Sequence, residues 1–238
     1  MYETVLGRRL DERPNHCPAF DMVVLAASRG GVEALPEVLR GLPGDFPAAV
    51  AVVLHISHPS SYLVEILRRR TALDVKWAEE GDTIVPGCVV VAPPDAHLLV
   101  NDDHTWHISH LPRQNYVRSS ADLLFESASA VFGNRTLGVI LSGGGRDGAI
   151  GACAVKQAGG RVLVQDRATS ASFDMPRAAI ETASVDFVLP LDQIASAVRS
   201  LVVVPGAADL FRVSSSFSYS HIDRIRGFHI LNQSSPAY

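Results

Sequence analysis

The sequence predicts an α/β protein built on a doubly wound, mostly parallel sheet with a small antiparallel excursion. Three observations carry this expectation. Uncharged apolar runs recur along the chain, each ending at a serine-, histidine- or glycine-containing turn. After these runs come apolar residues at helical spacing, and strand followed by helix, repeated, implies right-handed crossovers between parallel strands. The length, 238 residues, suits one such domain with tails and is ample for a core on each face of the sheet, a Rossmann-like three-layer arrangement.

The first unit is MVVLAASRGG. Met22 to Ala27 reads as a buried strand, Gly30 and Gly31 allow a sharp turn, and Val32, Leu35, Val38, Leu39 and Leu42 mark one face of a helix. Ser28 therefore falls at a strand-to-helix turn on the carboxyl edge of the sheet. The run AAVAVVLHI is a second buried strand ending at His55, followed by a helix carrying Leu63, Ile66, Leu67 and Leu73.

Between residues 75 and 110 the pattern changes. Short apolar segments at 89–92, 98–100 and 106–108 alternate with Pro-Gly, Pro-Pro-Asp and Asn-Asp-Asp-His turns, which predicts the antiparallel excursion. Ser119 or Ser120 then caps a helix running to about Phe132. Leu137 to Leu141 is a third buried strand, Ser142 to Gly148 a glycine-rich loop, and Ala149 to Ala158 a small-residue helix closed by Gly159 and Gly160. A strand at 161–165, a proline-opened helix at 176–182, a strand at 187–189 and a helix at 191–203 complete the periodic part.

Composition narrows the function. The net charge of -4 lacks the basic excess of a nucleic-acid surface. Cys17, Cys88 and Cys153 have neither metal-ligand spacing nor even parity, so they read as isolated thiols with no metal site. Residues 1–20 contain charges and no apolar leader, and no run reaches membrane-spanning length, which predicts a cytoplasmic protein without membrane insertion.

Three side chains fall on one sheet edge: Ser28, His55 and Asp147. A hydroxyl needs a base to take its proton, and an anion to hold the resulting imidazolium in the right tautomer. Each residue also has a structural alternative. Ser28 can cap a helix or belong to a phosphate-cradling turn. His55 can simply close its strand, with His58 a competing base, and Asp147 can cap the Ala149 helix. The glycine loop lacks the lysine and spacing of a P-loop and is not G-x-G-x-x-G, so nucleotide binding is the lesser reading.

The segments AASRGG, LHISHPS, EEGDTIVPGCVVVAPPDAHL, RSSADLLFES, GVILSGGGRDGAIGACAVKQAGG and SFDMPRAAIE, in this order, resemble the catalytic domain of the CheB-type chemotaxis protein-glutamate methylesterases. The resemblance spans about 22–201 and implies a catalytic triad of Ser28, His55 and Asp147, hydrolysing γ-glutamyl methyl esters to glutamate and methanol without a cofactor. The implied partner is a methylated chemoreceptor cytoplasmic domain or a similar methylated protein. It further implies an oxyanion and substrate pocket involving Arg29 in the Ser28 turn, Gly144, Arg118 and Met175.

The chain departs from the family pattern at Arg29, where a small residue or threonine is usual, and at Gly143–Gly145, where G-M-G is usual. Val117 and Ser119 replace the usual histidine and proline around Arg118. The expected organisation is an extension at 1–20, too short for the receiver domain typical of the family, a catalytic domain at 21–204 and a flexible tail at 205–238. A non-catalytic binding module on the same fold is the alternative, favoured if Arg29 covers Ser28 or His55 turns away from it.

Overall fold

Six consecutive residues buried on both sides, Met22–Ala27, form β1 at the centre of the sheet, because only a strand covered on both faces tolerates an unbroken apolar run. Alternate side chains serve different cores. Val23, Leu25 and Ala27 face one helical layer, and Met22, Val24 and Ala26 the other. The computed structural model describes residues 18–55 and 62–203; His58 and the expected tail at 205–238 lie outside the described residues.

In chain order, β1 is followed by α1 (Gly31–Arg40), β2 (Ala49–Leu54), α2 (Leu63–Arg68), β3 (Asp74–Trp77) and β4 (Cys88–Val91). Then come β5 (His97–Val100), β6 (Trp106–Ser109), α3 (Ala121–Phe132), β7 (Thr136–Ile140) and α4 (Ala149–Gln157). β8 (Arg161–Gln165), α5 (Asp174–Glu181), β9 (Phe187–Leu189) and α6 (Leu191–Val203) close the order. Seven strands form one parallel sheet in the order β3-β4-β2-β1-β7-β8-β9, with a separate antiparallel pair β5-β6.

The doubly wound parallel sheet is as expected, but the antiparallel excursion is smaller. The segment at 89–92 belongs to the main sheet, where β4 pairs in parallel with both β2 and β3. The reason is burial on both faces: Val89 and Val91 pack into one core, Cys88 and Val90 into the other. Such a run is the signature of an interior parallel strand.

From β1 the chain moves to β2 and on to the edge strand β3, steps back to fill β4 between them, and then crosses to the other side of β1 as β7. The crevice above β1 is therefore a topological switch point, where open α/β sheets place their ligands. Registers align what stands there. Ala27 pairs with Leu54, so the next residues, Ser28 and His55, leave the sheet side by side. On the other flank the Ser28 N–H donates to the Ser142 carbonyl at 3.0 Å, joining the first turn to the glycine loop.

Candidate active site

The Ser28 turn is shaped by the glycines after it. Gly30, with φ of 82°, caps α1 in the left-handed region, and a Cβ there would meet Ala171 Cβ at 2.6 Å and Ser142 Oγ at 2.8 Å. No side chain caps α1. Ser28 thus does not spend its hydroxyl on the helix, which removes its simplest structural role. Ser142 holds the turn instead: its Oγ donates to the Arg29 carbonyl at 2.6 Å and accepts the Ser172 N–H at 3.0 Å.

Asp147 is 3% exposed and surrounded by donors. Its Oδ1 accepts the Ser120 hydroxyl at 2.8 Å and the Asp122 N–H at 3.1 Å, and its Oδ2 accepts the Ala121 N–H at 2.6 Å. His55 Nε2 lies 2.9 Å from the same Oδ2. The ring N–H points off the line to that oxygen, so the contact is close in distance but bent as a hydrogen bond. Imidazole–carboxylate contacts of this kind commonly straighten only with substrate bound. Burial opposes the charge on Asp147, but His55 and the backbone N–H groups of Ala121 and Asp122 outweigh it and hold the carboxyl below its ordinary value.

Asp147 does cap a helix, but not the one that follows it. Gly148 occupies the cap position of α4, while Asp147 satisfies the N-terminus of α3 together with Ser120, the N-cap residue of α3. The capping alternative and a place beside His55 are therefore compatible, one for each side of the carboxylate.

Ser28 and His55 line a cleft of about 470 Å³ with Trp77, Asp95, Tyr116 and Arg118. Arg118 Nη1 stands 3.6 Å from Asp95 Oδ2, and its buried Nε has no hydrogen-bond acceptor among the described residues. The loop carrying Arg118 is anchored by His97 on β5, which is fully buried. His97 Nδ1 accepts the Ser120 N–H at 3.0 Å and Nε2 faces the Pro112 carbonyl at 3.2 Å, which fixes the tautomer with its proton on Nε2. Burial lowers the basicity of His97, keeping it neutral in this role.

Three expected pocket residues do not line the cleft. Arg29 is exposed and does not line the cleft. Gly144 sits in the glycine loop with only Ser172 Oγ, at 3.9 Å, near its missing Cβ. Met175 is fully buried beneath that loop rather than lining the cleft, with its N–H on the Gly143 carbonyl at 2.9 Å. The N–H groups of Arg29 and Gly144 have no acceptor among the described residues.

Gly143 is the tightest point. A Cβ there would lie 2.1 Å from Met175 Sδ and 3.0 Å from Ser28 Cβ, so the loop approaches the serine as only glycine allows. Gly143→Ala is expected to cost about 1–3 kcal/mol of stability by overpacking. A lower melting temperature checks this, and an alanine variant that melts like the native protein would contradict it.

Sequence reasoning missed Asp122, Ser142, His97 and Trp77. Asp122 had a legible signal: it shares a helix face with Phe125 and Ser129, both buried, so a carboxyl there had to find partners inside. Ser142 and His97 had none, since their partners are 30 and 23 residues away.

An α/β protein of the doubly wound type, with a serine, a histidine and a buried aspartate at its topological switch point, is the class that fold and site define. The chain belongs to the CheB methylesterase family, whose sequence model matches residues 23–198. It is 45% identical over 197 residues to "Protein-glutamate methylesterase/protein-glutamine glutaminase 2" of Anaeromyxobacter dehalogenans, covering 82% of this chain and 58% of that one. It is 41% identical over 177 residues to a "Putative protein-glutamate methylesterase/protein-glutamine glutaminase" of Leptospira interrogans, covering 74% of this chain and 92% of the relative. Among solved structures, the Thermotoga maritima CheB methylesterase catalytic domain matches with a TM-score of 0.74 at 34% identity, covering 77% of this chain and 99% of that domain. The chain thus spans little more than half the length of the Anaeromyxobacter relative and nearly all of the isolated catalytic domain. Among the described residues no helix is long and apolar enough to cross a membrane.

Proposed function

We propose that this protein hydrolyses glutamate γ-methyl esters on a chemoreceptor-type protein, with Ser28 as nucleophile, His55 as general base and acid, and Asp147 as the anion that orients His55. The observation that carries this reading is the 2.9 Å approach of His55 to a buried Asp147, on the same edge from which Ser28 and His55 emerge in register. With Nε2 beside the Asp147 carboxylate, Nδ1 is the nitrogen left to accept a proton.

Ser28 Oγ attacks the ester carbonyl while His55 takes its proton, and the imidazolium is held by Asp147. The N–H groups of Arg29 and Gly144 are the donors available to the tetrahedral oxyanion, each worth about 2.7–4 kcal/mol where comparable donors have been removed. Collapse expels methanol, protonated by His55, and leaves the acyl group on Ser28. Water, deprotonated by His55, then releases glutamate. A glutamine side chain follows the same course with ammonia as the leaving group, in keeping with the double names of the relatives.

Arg118 supplies recognition. Its guanidinium lines the cleft and offers N–H donors to a substrate carbonyl or carboxylate. Arg118→Ala should raise KM roughly 10- to 100-fold, with a smaller loss in kcat, since a hydrogen bond to a charged group is worth about 1.5–3 kcal/mol. A change confined to kcat would assign Arg118 another role.

The binding-module alternative needs Arg29 across Ser28 or His55 turned away from Ser28; against it, Arg29 stands off the cleft, and Ser28 and His55 leave the sheet side by side and line the same cleft. The deciding experiment incubates the purified protein with receptor cytoplasmic fragments radiolabelled at their methyl esters and counts released methanol. Release supports the esterase. Binding of the fragments by a folded protein without release would replace it with the binding module.

A further inference from the structure

Hydrolysis by Ser28, His55 and Asp147 leaves a buried carboxyl among the described residues without a task. Asp122, the second residue of α3, is 5% exposed. Its carboxylate turns to the N-terminus of the neighbouring helix: Oδ1 accepts the N–H groups of Gly148 and Gly151, both at 2.8 Å, and Oδ2 accepts Asn115 Nδ2–H at 3.1 Å. Asp147 does the reverse, accepting the N–H groups of Ala121 and Asp122 at the start of α3. Each helix therefore ends its unpaired N–H groups on a carboxylate supplied by the other. The two caps share their residues, because Asp122 donates to Asp147 and the residue after Asp147 donates to Asp122.

We propose that Asp122 is a positioning residue of the hydrolytic site: the reciprocal cap locks the Asp147 loop, and Asp122 takes the proton that two adjoining buried carboxyls share, leaving Asp147 charged for His55. The inference rests on the triad reading above. Its physical basis is that two carboxylates in one buried cluster cannot both hold a full charge without cost, and the proton settles on the less stabilised one.

The groups facing Asp122 decide which that is. From the β7–α4 loop comes Asp147, itself stabilised by His55 and three other donors. From its own helix comes Glu126, which adds negative charge. From α4 come only two N–H groups, and from the loop before α3 the neutral Asn115 amide. Burial, then the charge on Asp147, push Asp122 up to about 7, while the Gly151 and Gly148 N–H groups resist. Near neutrality Asp122 is thus partly protonated, and the Asn115 amide, rotated, presents an oxygen to that proton.

Asparagine at this position keeps an oxygen for the two N–H groups but never gains a charge, so Asp122→Asn imitates the protonated state at every pH. Below pH 6 the variant and the native protein should have similar kcat/KM. As pH rises through 7 the native carboxylate forms and adds its charge behind Asp147, favouring the imidazolium in the transition state. The ratio of native to variant kcat/KM should therefore grow several-fold between pH 6 and 8.5, through one ionisation near pH 7. Asp122→Ala, which breaks the cap, should lose more than tenfold in kcat with KM nearly unchanged at all pH values.

A readout independent of esterase activity comes from the carboxyl carbon of Asp122, followed by NMR in the full chain. It should titrate near pH 7, far above an ordinary aspartate. The linked stability has a definite sign: a folded value raised above the unfolded one favours folding at low pH and loses that advantage as pH rises through 7. Asp122→Asn should accordingly gain in Tm relative to the native protein between pH 5 and 8. A carboxyl carbon that titrates near 4, or a kcat/KM ratio flat with pH in an active enzyme, would overturn the proposal. Absence of ester hydrolysis with a carbon titrating near 7 would sink the triad reading, and with it the positioning role, while leaving the shared proton in place.

Discussion

Ser28→Ala is expected to abolish ester hydrolysis, lowering kcat by about 10⁴-fold or more, while leaving the melting temperature almost unchanged. The first half follows from the chemistry: without Oγ no acyl intermediate forms, and His55 and the oxyanion donors retain only the residual catalysis of binding and electrostatics. The second half follows from the structure. The Ser28 side chain caps no helix, and the turn is held by other atoms, namely the Ser28 N–H on Ser142, the Gly31 N–H on the Ser28 carbonyl and the Ser142 hydroxyl on Arg29. All of these survive the substitution. Methanol release and thermal melting on the same preparation test both halves. Turnover within tenfold of native would remove Ser28 from the mechanism.

Asp147→Asn should be nearly as damaging to kcat, by about 10⁴-fold, but unlike Ser28→Ala it should also cost stability. The amide nitrogen placed against His55 donates where the carboxylate accepted, which forces the imidazole proton to the other nitrogen and blinds the base. The remaining amide oxygen cannot serve Ser120, Ala121, Asp122 and His55 together, so part of the α3 cap is left unpaired in a buried place. A melting temperature several degrees lower is the expected signature. The same carboxylate gives an acid sensitivity of known sign. Its folded value lies below the ordinary 3.8, so its contribution to stability is complete above about pH 4 and fades as pH falls through the lower folded value. In Asp147→Asn that acid-range contribution disappears. A variant with normal melting and an unchanged acid limb would mean that Asp147 is solvated rather than buried against α3.

The sequence alone determined the frame of this protein. Unbroken apolar runs such as MVVLAA and AVAVVL can be buried only between two helical layers, and this dictated a parallel sheet with Ser28 and His55 at one edge. Local turn chemistry dictated the Gly30 entry to α1 and the Ser120 cap of α3. Shortness misled elsewhere: the segment at 89–92 read as part of the antiparallel excursion, and only the burial of CVVV on both faces places it as an interior parallel strand.

Tertiary structure alone decided the duties of the polar residues. Asp147 could be read as a cap for the helix after it, yet its partners are at the start of α3 and just past the end of β2, 25 or more residues away in the chain. Asp122 lies in the first turn of α3, yet its carboxylate closes the N-terminus of α4. Hydrophobic burial is legible in one dimension because its period is local. A buried carboxylate must instead collect donors from wherever the packed layers bring them, and that geometry exists only once the chain has folded.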